Sequence, residues 1–134
     1  MIKEYNTYPQ LSVDNFVYKI NENEFVKNPF LKLIVYEDNK LIKGFLIYSE
    51  IYDRIEIDQI EVLEKYQRQH IASALMDYLI AIAKKKKIIN ITLEVKIDNY
   101  KAVYLYHKYN FVEVAKRQNY YNGTDALLMQ LIIN

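Results

Sequence analysis

The strongest constraint on the fold is a change of hydrophobic period between residues 54 and 95. The segment RIEIDQIEV (54–62) alternates apolar and polar residues, as a half-buried strand does. From Ile71 to Ile82 the apolar residues instead recur every three or four positions, which is the spacing of an amphipathic helix. Alternation returns in IINITLEV (88–95). A strand, a long helix and a second strand form a βαβ unit, so we expect two parallel strands with a right-handed crossover.

Neighbouring segments extend this unit into a mixed sheet. LKLIVYE (31–37) and KLIKGFLIYSE (40–50) predict two antiparallel strands before the unit. FVEVAKRQ (111–118) and ALLMQLII (126–133) predict two more at the end of the chain, joined by the loop NYYNGTD.

Two shorter helices are also predicted. Asp98 or Asn99 can cap a helix, after which Asn110 takes the left-handed position. Ser12 can cap a short helix near the N-terminus. The predicted fold class is α/β of the α+β type, with a mixed central sheet, N-terminal antiparallel strands, a parallel βαβ unit and helices on both faces.

Length and composition narrow the functional classes. A chain of 134 residues is expected to form a single domain over residues 1–134. The absence of cysteine excludes a thiol nucleophile or a thiolate metal site, and no metal is expected. A net charge of +1 gives no electrostatic reason to expect a nucleic-acid or membrane partner. The N-terminal segment lacks a signal-peptide pattern, so we expect a cytoplasmic protein of undetermined oligomeric state.

The turn that enters the long helix is a candidate anion site. In a βαβ unit this turn presents backbone N–H groups at the positive end of the helix dipole. Here Arg68 to Ser73 supply those donors, and the side chains of Gln67, Arg68 and Ser73 add others. Polar residues are also common in an ordinary solvated first turn, so the residues alone leave both interpretations open.

A resemblance favours the anion site. Gln67–Ala72 (QRQHIA) resembles the pyrophosphate-binding signature Q/R-x-x-G-x-G/A of the GNAT superfamily of N-acetyltransferases. The segments QIEVLEKYQRQHIASALM, ITLEVKIDNYKAVYLYHKYNF, KRQNYY and DALLM follow in the order typical of the RimI type, the ribosomal-protein-alanine N-acetyltransferases. The resemblance covers more than half of the chain, from about residue 54 to about residue 131.

The resemblance implies acetyl-CoA as the donor and a primary amine as the acceptor, most specifically the N-terminal alanine of a small-subunit ribosomal protein. It assigns the pantetheine arm to the strand at Ile60, Glu61 and Val62, and one further donor contact to Asn99. It assigns the pyrophosphate to the turn and first helical residues: Gln67, Arg68, Gln69, His70, Ile71, Ala72 and Ser73. His70 replaces the family's central glycine, which retains the backbone N–H but adds a ring beside the pyrophosphate.

Glu94 is the candidate general base. Alternation places it with Asn90 and Thr92 on the polar face of its strand, where partial shielding from water suits a proton acceptor. A glutamate at the end of a strand, paired with Lys96, is the alternative. The resemblance favours the base, because Leu93-Glu94-Val95 matches the family's L-E-V. Glu56, which matches the base position of other branches, is the second candidate.

Tyr106 is the candidate general acid for the departing thiolate. It lies two helical turns after Asn99, so both can face one ligand. As one of fourteen tyrosines it can equally be a packing residue, and only the match to the family's L-Y gives it the acid role. The family's N-Y-Y likewise implies that Tyr120 and Tyr121, in the last loop, contact the acceptor.

Three other functions stay open. The same fold can act on a polyamine, an antibiotic or another small amine. His70 makes a non-catalytic acyl-CoA-binding module conceivable. The lysine run 84–87 would suit an RNA-associated domain, although lysines in the last turn of a helix more often complement its dipole.

Overall fold

The computed structural model describes residues 1–6, 16 and 18–133, and at residues 119–121 the backbone alone. The described part of the chain contains three α-helices and seven strands. The helices are α1 (Glu22–Lys27), α2 (Ile71–Lys85) and α3 (Tyr100–Lys108). The strands are β1 (Ile2–Tyr5), β2 (Leu31–Asp38), β3 (Leu41–Ile51), β4 (Arg54–Val62), β5 (Asn90–Lys96), β6 (Val112–Tyr121) and β7 (Thr124–Ile132). No helix in the described part of the chain is long and apolar enough to cross a membrane.

One mixed sheet holds all seven strands, in the order β1-β2-β3-β4-β5-β7-β6. The predicted βαβ unit is confirmed, because β4 and β5 are parallel. The other neighbouring pairs are antiparallel. The predicted mixed α/β architecture is therefore correct.

Strands β4 and β5 separate at their carboxyl ends. They pair from Arg54 opposite Asn90 to Ile57 opposite Leu93 and no further. The next residue, Asp58, is an extra residue in β4, since the register with β3 shifts at this point. Beyond it β4 pairs only with β3, and β5 only with β7. A β-bulge bends a strand away from its neighbour, and here it accompanies a gap in the sheet.

Helices cover both faces of the sheet. On one face α2 and α3 contribute to an apolar core with residues such as Leu75, Leu79 and Tyr106. On the other face Phe25 of α1 packs against a smaller core that includes Phe16 and Phe45. The alternation of β2 and β3 divides their side chains between these two cores, as the sequence pattern predicts.

Three details differ from the sequence-based predictions. Strand β1 was not predicted. Tyr120 and Tyr121 belong to β6 and not to a loop, because Asn122 and Gly123 alone make the tight turn into β7. The helix predicted to begin at Ser12 lies mostly outside the described residues, and residues 16 and 18–20, which are described, are not helical. The first described helix is α1, which is capped by Asn21.

Candidate active site

A cavity of about 630 Å³ lies beside the gap between β4 and β5. The end of β4, the turn into α2, the first turn of α2 and one side of α3 form its walls. All but one of the predicted donor-binding residues line it, the exception being Gln69. The lining also includes residues that the sequence did not single out: Tyr66, Lys101, Ala102, Tyr104, Leu105 and Lys108.

The turn before α2 has an unusual backbone. Arg68 and His70 both adopt left-handed conformations, with φ of 65° and 62°. Such conformations cost a residue other than glycine about 1 kcal/mol or more. His70 is the N-cap of α2, yet its side chain makes no capping hydrogen bond. The N–H groups of the first turn therefore lack a capping side chain, which leaves the helix terminus suited to an anionic ligand.

Short contacts fix this turn against its surroundings. Gln67 Nε2 donates a hydrogen bond to the carbonyl oxygen of Val62, at 3.1 Å. Tyr109 Oη donates to the carbonyl oxygen of Ser73, at 3.0 Å, and so ties the end of α3 to the start of α2. The side chain of Gln67, expected to face the anion, thus connects the turn to the end of β4.

Gly44 permits α2 to begin close to the sheet. It pairs with Val62 across β3 and β4. A Cβ at this position would lie 2.9 Å from Ile71 Cγ2 and 3.2 Å from the Glu61 carbonyl oxygen. One of the two glycines of the chain is thus required where the helix that forms the turn approaches the strand that lines the cavity.

Glu94 lies on the face of β5 opposite Leu93 and Val95, which belong to the core. Its carboxylate pairs with Arg117, with Nε 3.3 Å from Oε1. The Glu94 side chain is 25% exposed and that of Arg117 is 51% exposed. Glu94 does not contribute to the cavity lining, so it lies outside the donor cavity and remains accessible to water. The sequence did not single out Arg117.

Tyr106 is 5% exposed, and its ring packs 5.6 Å from that of Phe111. Burial raises the pKa of its phenol to about 12. Asn99 caps α3 by accepting a hydrogen bond from the Ala102 N–H at 3.3 Å, and it also lines the cavity. The structure therefore places Asn99 in the cavity wall and Tyr106 in the apolar core, outside the cavity lining.

A second group of carboxylates lies at the bulge. Desolvation by the surrounding groups, followed by the carboxylates of Glu56 and Glu24, raises the pKa of Asp58 to about 6, although the Asp58 side chain is exposed. Glu56 itself is exposed. The backbones of Tyr120 and Tyr121 lie at the end of β6, while their side chains are outside what the structure describes.

A seven-stranded mixed sheet that opens between two parallel strands, beside an uncapped helix terminus, defines a site suited to a ligand that carries phosphate. The sequence matches the acetyltransferase (GNAT) family model over residues 2–111, so the chain belongs to this family. It is an acetyl-CoA-dependent N-acetyltransferase, and the residues of the cavity fit a phosphate-bearing donor through the helix terminus described above.

Known relatives agree with this assignment. The chain is 31% identical over 120 residues to the [ribosomal protein bS18]-alanine N-acetyltransferase of Escherichia coli K12, covering 85% of this chain and 81% of that protein. The crystal structure of the Escherichia coli ribosomal-protein-S18-alanine N-acetyltransferase superposes with a TM-score of 0.83 at 25% identity, over 100% of this chain and 95% of the other. A GNAT family acetyltransferase from Elizabethkingia anophelis, solved with acetyl-CoA bound, shares the fold with a TM-score of 0.79 at 20% identity, over 98% and 97% of the two chains.

Proposed function

We propose that the acceptor is the α-amino group at the N-terminus of a protein, most specifically the N-terminal alanine of ribosomal protein bS18. The observation that carries this proposal is the 31% identity to a bS18-alanine N-acetyltransferase over 85% of the chain. The acceptor would approach the gap between β4 and β5 from the side of Glu94 and Asp58, opposite the donor cavity.

In this mechanism Glu94 accepts a proton from the incoming ammonium group, through a water molecule. An α-amino group has a pKa of about 7.7–8, against about 10.4 for a lysine side chain, so a modest base suffices near neutral pH. The ion pair with Arg117 holds the carboxylate in one orientation while leaving part of it open to water.

Backbone N–H groups near Val62 stabilise the negative charge that develops on the thioester carbonyl oxygen. This end of β4 has left β5, so it is available to a ligand on that edge. Preorganised backbone donors are effective here because they need not reorient as charge develops. The first turn of α2 holds the pyrophosphate of the donor.

Tyr106 donates its hydroxyl proton toward the departing sulfur. Its phenol stays neutral at physiological pH because burial raises its pKa to about 12. A thiol has a pKa of about 8.5, so complete proton transfer from this phenol is unfavourable. We infer that a hydrogen bond to the developing thiolate is the larger part of its contribution.

A panel of acceptors tests the proposal, with release of the CoA thiol as the readout. The panel contains a peptide that begins with alanine, the same peptide with a blocked N-terminus, spermidine and an aminoglycoside. We expect thiol release with the free peptide only. Release with the blocked peptide would place the reaction at a side chain, and release with spermidine alone would refute the protein acceptor.

The carboxylates at the bulge favour a polyamine as the second candidate. Asp58 interacts electrostatically with Glu56 and Glu24, so this side of β4 carries negative charge next to the gap. Such a surface attracts acceptors with more than one cationic group. The same panel separates the two candidates.

A further inference from the structure

Glu61 contacts both sides of β4. It belongs to the lining of the donor cavity. Its side chain reaches the opposite side, where Oε1 accepts a hydrogen bond from the backbone N–H of Tyr18 at 2.9 Å. The bond is partly buried and joins residues 43 positions apart in the chain. Glu61 therefore connects the strand that would hold the donor to an N-terminal segment on the other face.

Phe45 supports the same segment. It pairs with Glu61 across β3 and β4, so the two side chains project from the same face of the sheet. Its ring lies 4.8 Å from that of Phe16, edge to face, and 6.2 Å from that of Tyr18. A polar contact at Glu61 and an apolar contact at Phe45 thus hold residues 16 and 18 against the sheet.

The segment held in this way borders the gap. Tyr18 Oη donates a hydrogen bond to Glu24 of α1, at 3.4 Å. Both Tyr18 and Glu24 lie close enough to Asp58 to interact with it electrostatically. Asp58 marks the point at which β4 leaves β5. Tyr18 and α1 therefore form a wall beside the gap, on the face of β4 opposite the donor cavity.

We propose that Glu61 is a positioning residue for the acceptor, whose carboxylate fixes the wall formed by Tyr18 and α1. This role rests on the acceptor approaching from that face, as in the proposed function, but not on which amine is the acceptor. A backbone N–H bonded to a carboxylate is among the stronger hydrogen bonds in proteins, so its loss should loosen the wall. The backbone of Glu61 stays in place when its side chain changes, so the donor site should be preserved.

Two substitutions of similar size separate the hydrogen bond from the rest of the side chain. Glu61→Gln retains an oxygen that can accept from the Tyr18 N–H, whereas Glu61→Leu does not. We expect the KM for the acceptor to rise about tenfold in Glu61→Leu and to stay within twofold of wild type in Glu61→Gln. The Kd for acetyl-CoA, measured by calorimetry, should be unchanged in both. Glu64→Leu, two residues beyond the end of β4 and outside the cavity lining, is the control for the loss of a nearby carboxylate.

Amide hydrogen exchange reports on the bond itself. The Tyr18 N–H should exchange at least tenfold faster in Glu61→Leu than in wild type and Glu61→Gln. A purely structural role would lower kcat and the melting temperature without a selective rise in the acceptor KM. If Glu61→Leu yields no folded protein, Tyr18→Phe tests the wall instead, because it removes the hydrogen bond from Tyr18 to Glu24 of α1. A several-fold higher acceptor KM is expected in that variant.

Two outcomes would overturn the proposal. An unchanged acceptor KM in the folded variant would show that the wall does not position the acceptor. An equal rise in the Kd for acetyl-CoA would assign Glu61 to the donor instead. Both differ from a failure of the proposed function, in which the wild-type enzyme itself would release no thiol with any amine.

Discussion

Glu94 and Arg117 form an ion pair across an intervening strand, with Arg117 Nε 3.3 Å from Glu94 Oε1. Glu94 lies on β5 and Arg117 on β6, and β7 separates them in the sheet. A pair with this much exposure contributes little to stability, about 0–1 kcal/mol. Its effect is on orientation, because it fixes the carboxylate that we propose as the base beside the gap.

Glu94→Gln should lower kcat about 100-fold, the lower end of the usual contribution of a general base. The Kd for acetyl-CoA should not change, because Glu94 lies outside the donor cavity. Steady-state kinetics and calorimetry measure the two quantities.

Glu56→Gln is the matched variant, since Glu56 is the other candidate base and is exposed. It should retain most of the activity. A larger decrease of kcat in Glu56→Gln than in Glu94→Gln would assign the role of base to Glu56.

Tyr106→Phe should lower kcat about tenfold or more while the protein remains folded. Phenylalanine fills the same volume against Phe111, so the core should be preserved. The raised pKa of about 12 also predicts that the wild-type rate shows no decline from Tyr106 ionisation up to about pH 10. Tyr100→Phe, at an exposed position of the same helix outside the cavity lining, is the control. Equal rates for Tyr106→Phe and wild type would exclude Tyr106 from the reaction.

Asp58 should make stability depend on pH. Its folded-state pKa of about 6 lies above the ordinary value of 3.8, so the folded state favours the protonated form. This stabilisation is fully present below about pH 3.8 and is lost as the pH rises through about 6. Asp58→Asn, which is neutral at every pH, should therefore raise Tm at pH 8 by about 3 °C and leave it nearly unchanged at about pH 3.5, below both pKa values.

Differential scanning fluorimetry at the two pH values checks this expectation. Asp98→Asn, at an exposed position outside the bulge, should have no such pH-dependent effect. A gain in Tm at about pH 3.5 equal to that at pH 8 would mean that the benefit does not come from the charge of Asp58.

The sequence could predict the central elements because their signals are local. The period of α2 and its flanking strands is contained within the segments themselves. Asn99 caps α3, and Asn110 takes the left-handed position after it with a φ of 70°, as their residue types indicate. The two-residue turn at Asn122-Gly123 could also have been predicted, since Asn-Gly is the dipeptide most typical of a two-residue hairpin turn.

Other features depend on contacts between distant segments. β1 has only four residues, and long-range bonds from Lys3 and Tyr5 to the buried Glu37 attach it to the sheet. The bulge at Asp58 has no glycine or proline to mark it. Arg117 meets Glu94 only because of the register of three strands. These features arise from the sheet as a whole, so no local pattern could indicate them.

Gly44→Ala should destabilise the protein by about 1–3 kcal/mol, the usual range for an added methyl group in a tight core. The new Cβ would lie 2.9 Å from Ile71 Cγ2, on a β-branched side chain with little freedom to move. Because Ile71 begins α2, the displacement should also weaken acetyl-CoA binding. Thermal unfolding and calorimetry measure both effects, and an unchanged Tm would show that α2 can shift freely.

His70→Gly should tighten acetyl-CoA binding several-fold. His70 lines the donor cavity at a left-handed position where glycine carries no steric penalty. The substitution removes bulk beside the first turn of α2 and keeps the backbone N–H that a pyrophosphate would bind. Its effect on stability should be small, because the relief of about 1 kcal/mol of backbone strain is offset by the greater freedom of glycine in the unfolded chain.

Two matched variants show whether the ring of His70 or its backbone conformation weakens acetyl-CoA binding. Asn110→Gly changes another left-handed residue that is outside the donor cavity, so it should leave the Kd for acetyl-CoA unchanged. His70→Ala removes the ring but keeps the strained backbone, so tighter binding in this variant would assign the effect to the ring. Tighter binding in His70→Gly alone would assign it to the backbone. If neither His70 variant binds acetyl-CoA more tightly, the histidine does not restrict the donor, and the pyrophosphate fits at the helix terminus with the ring in place.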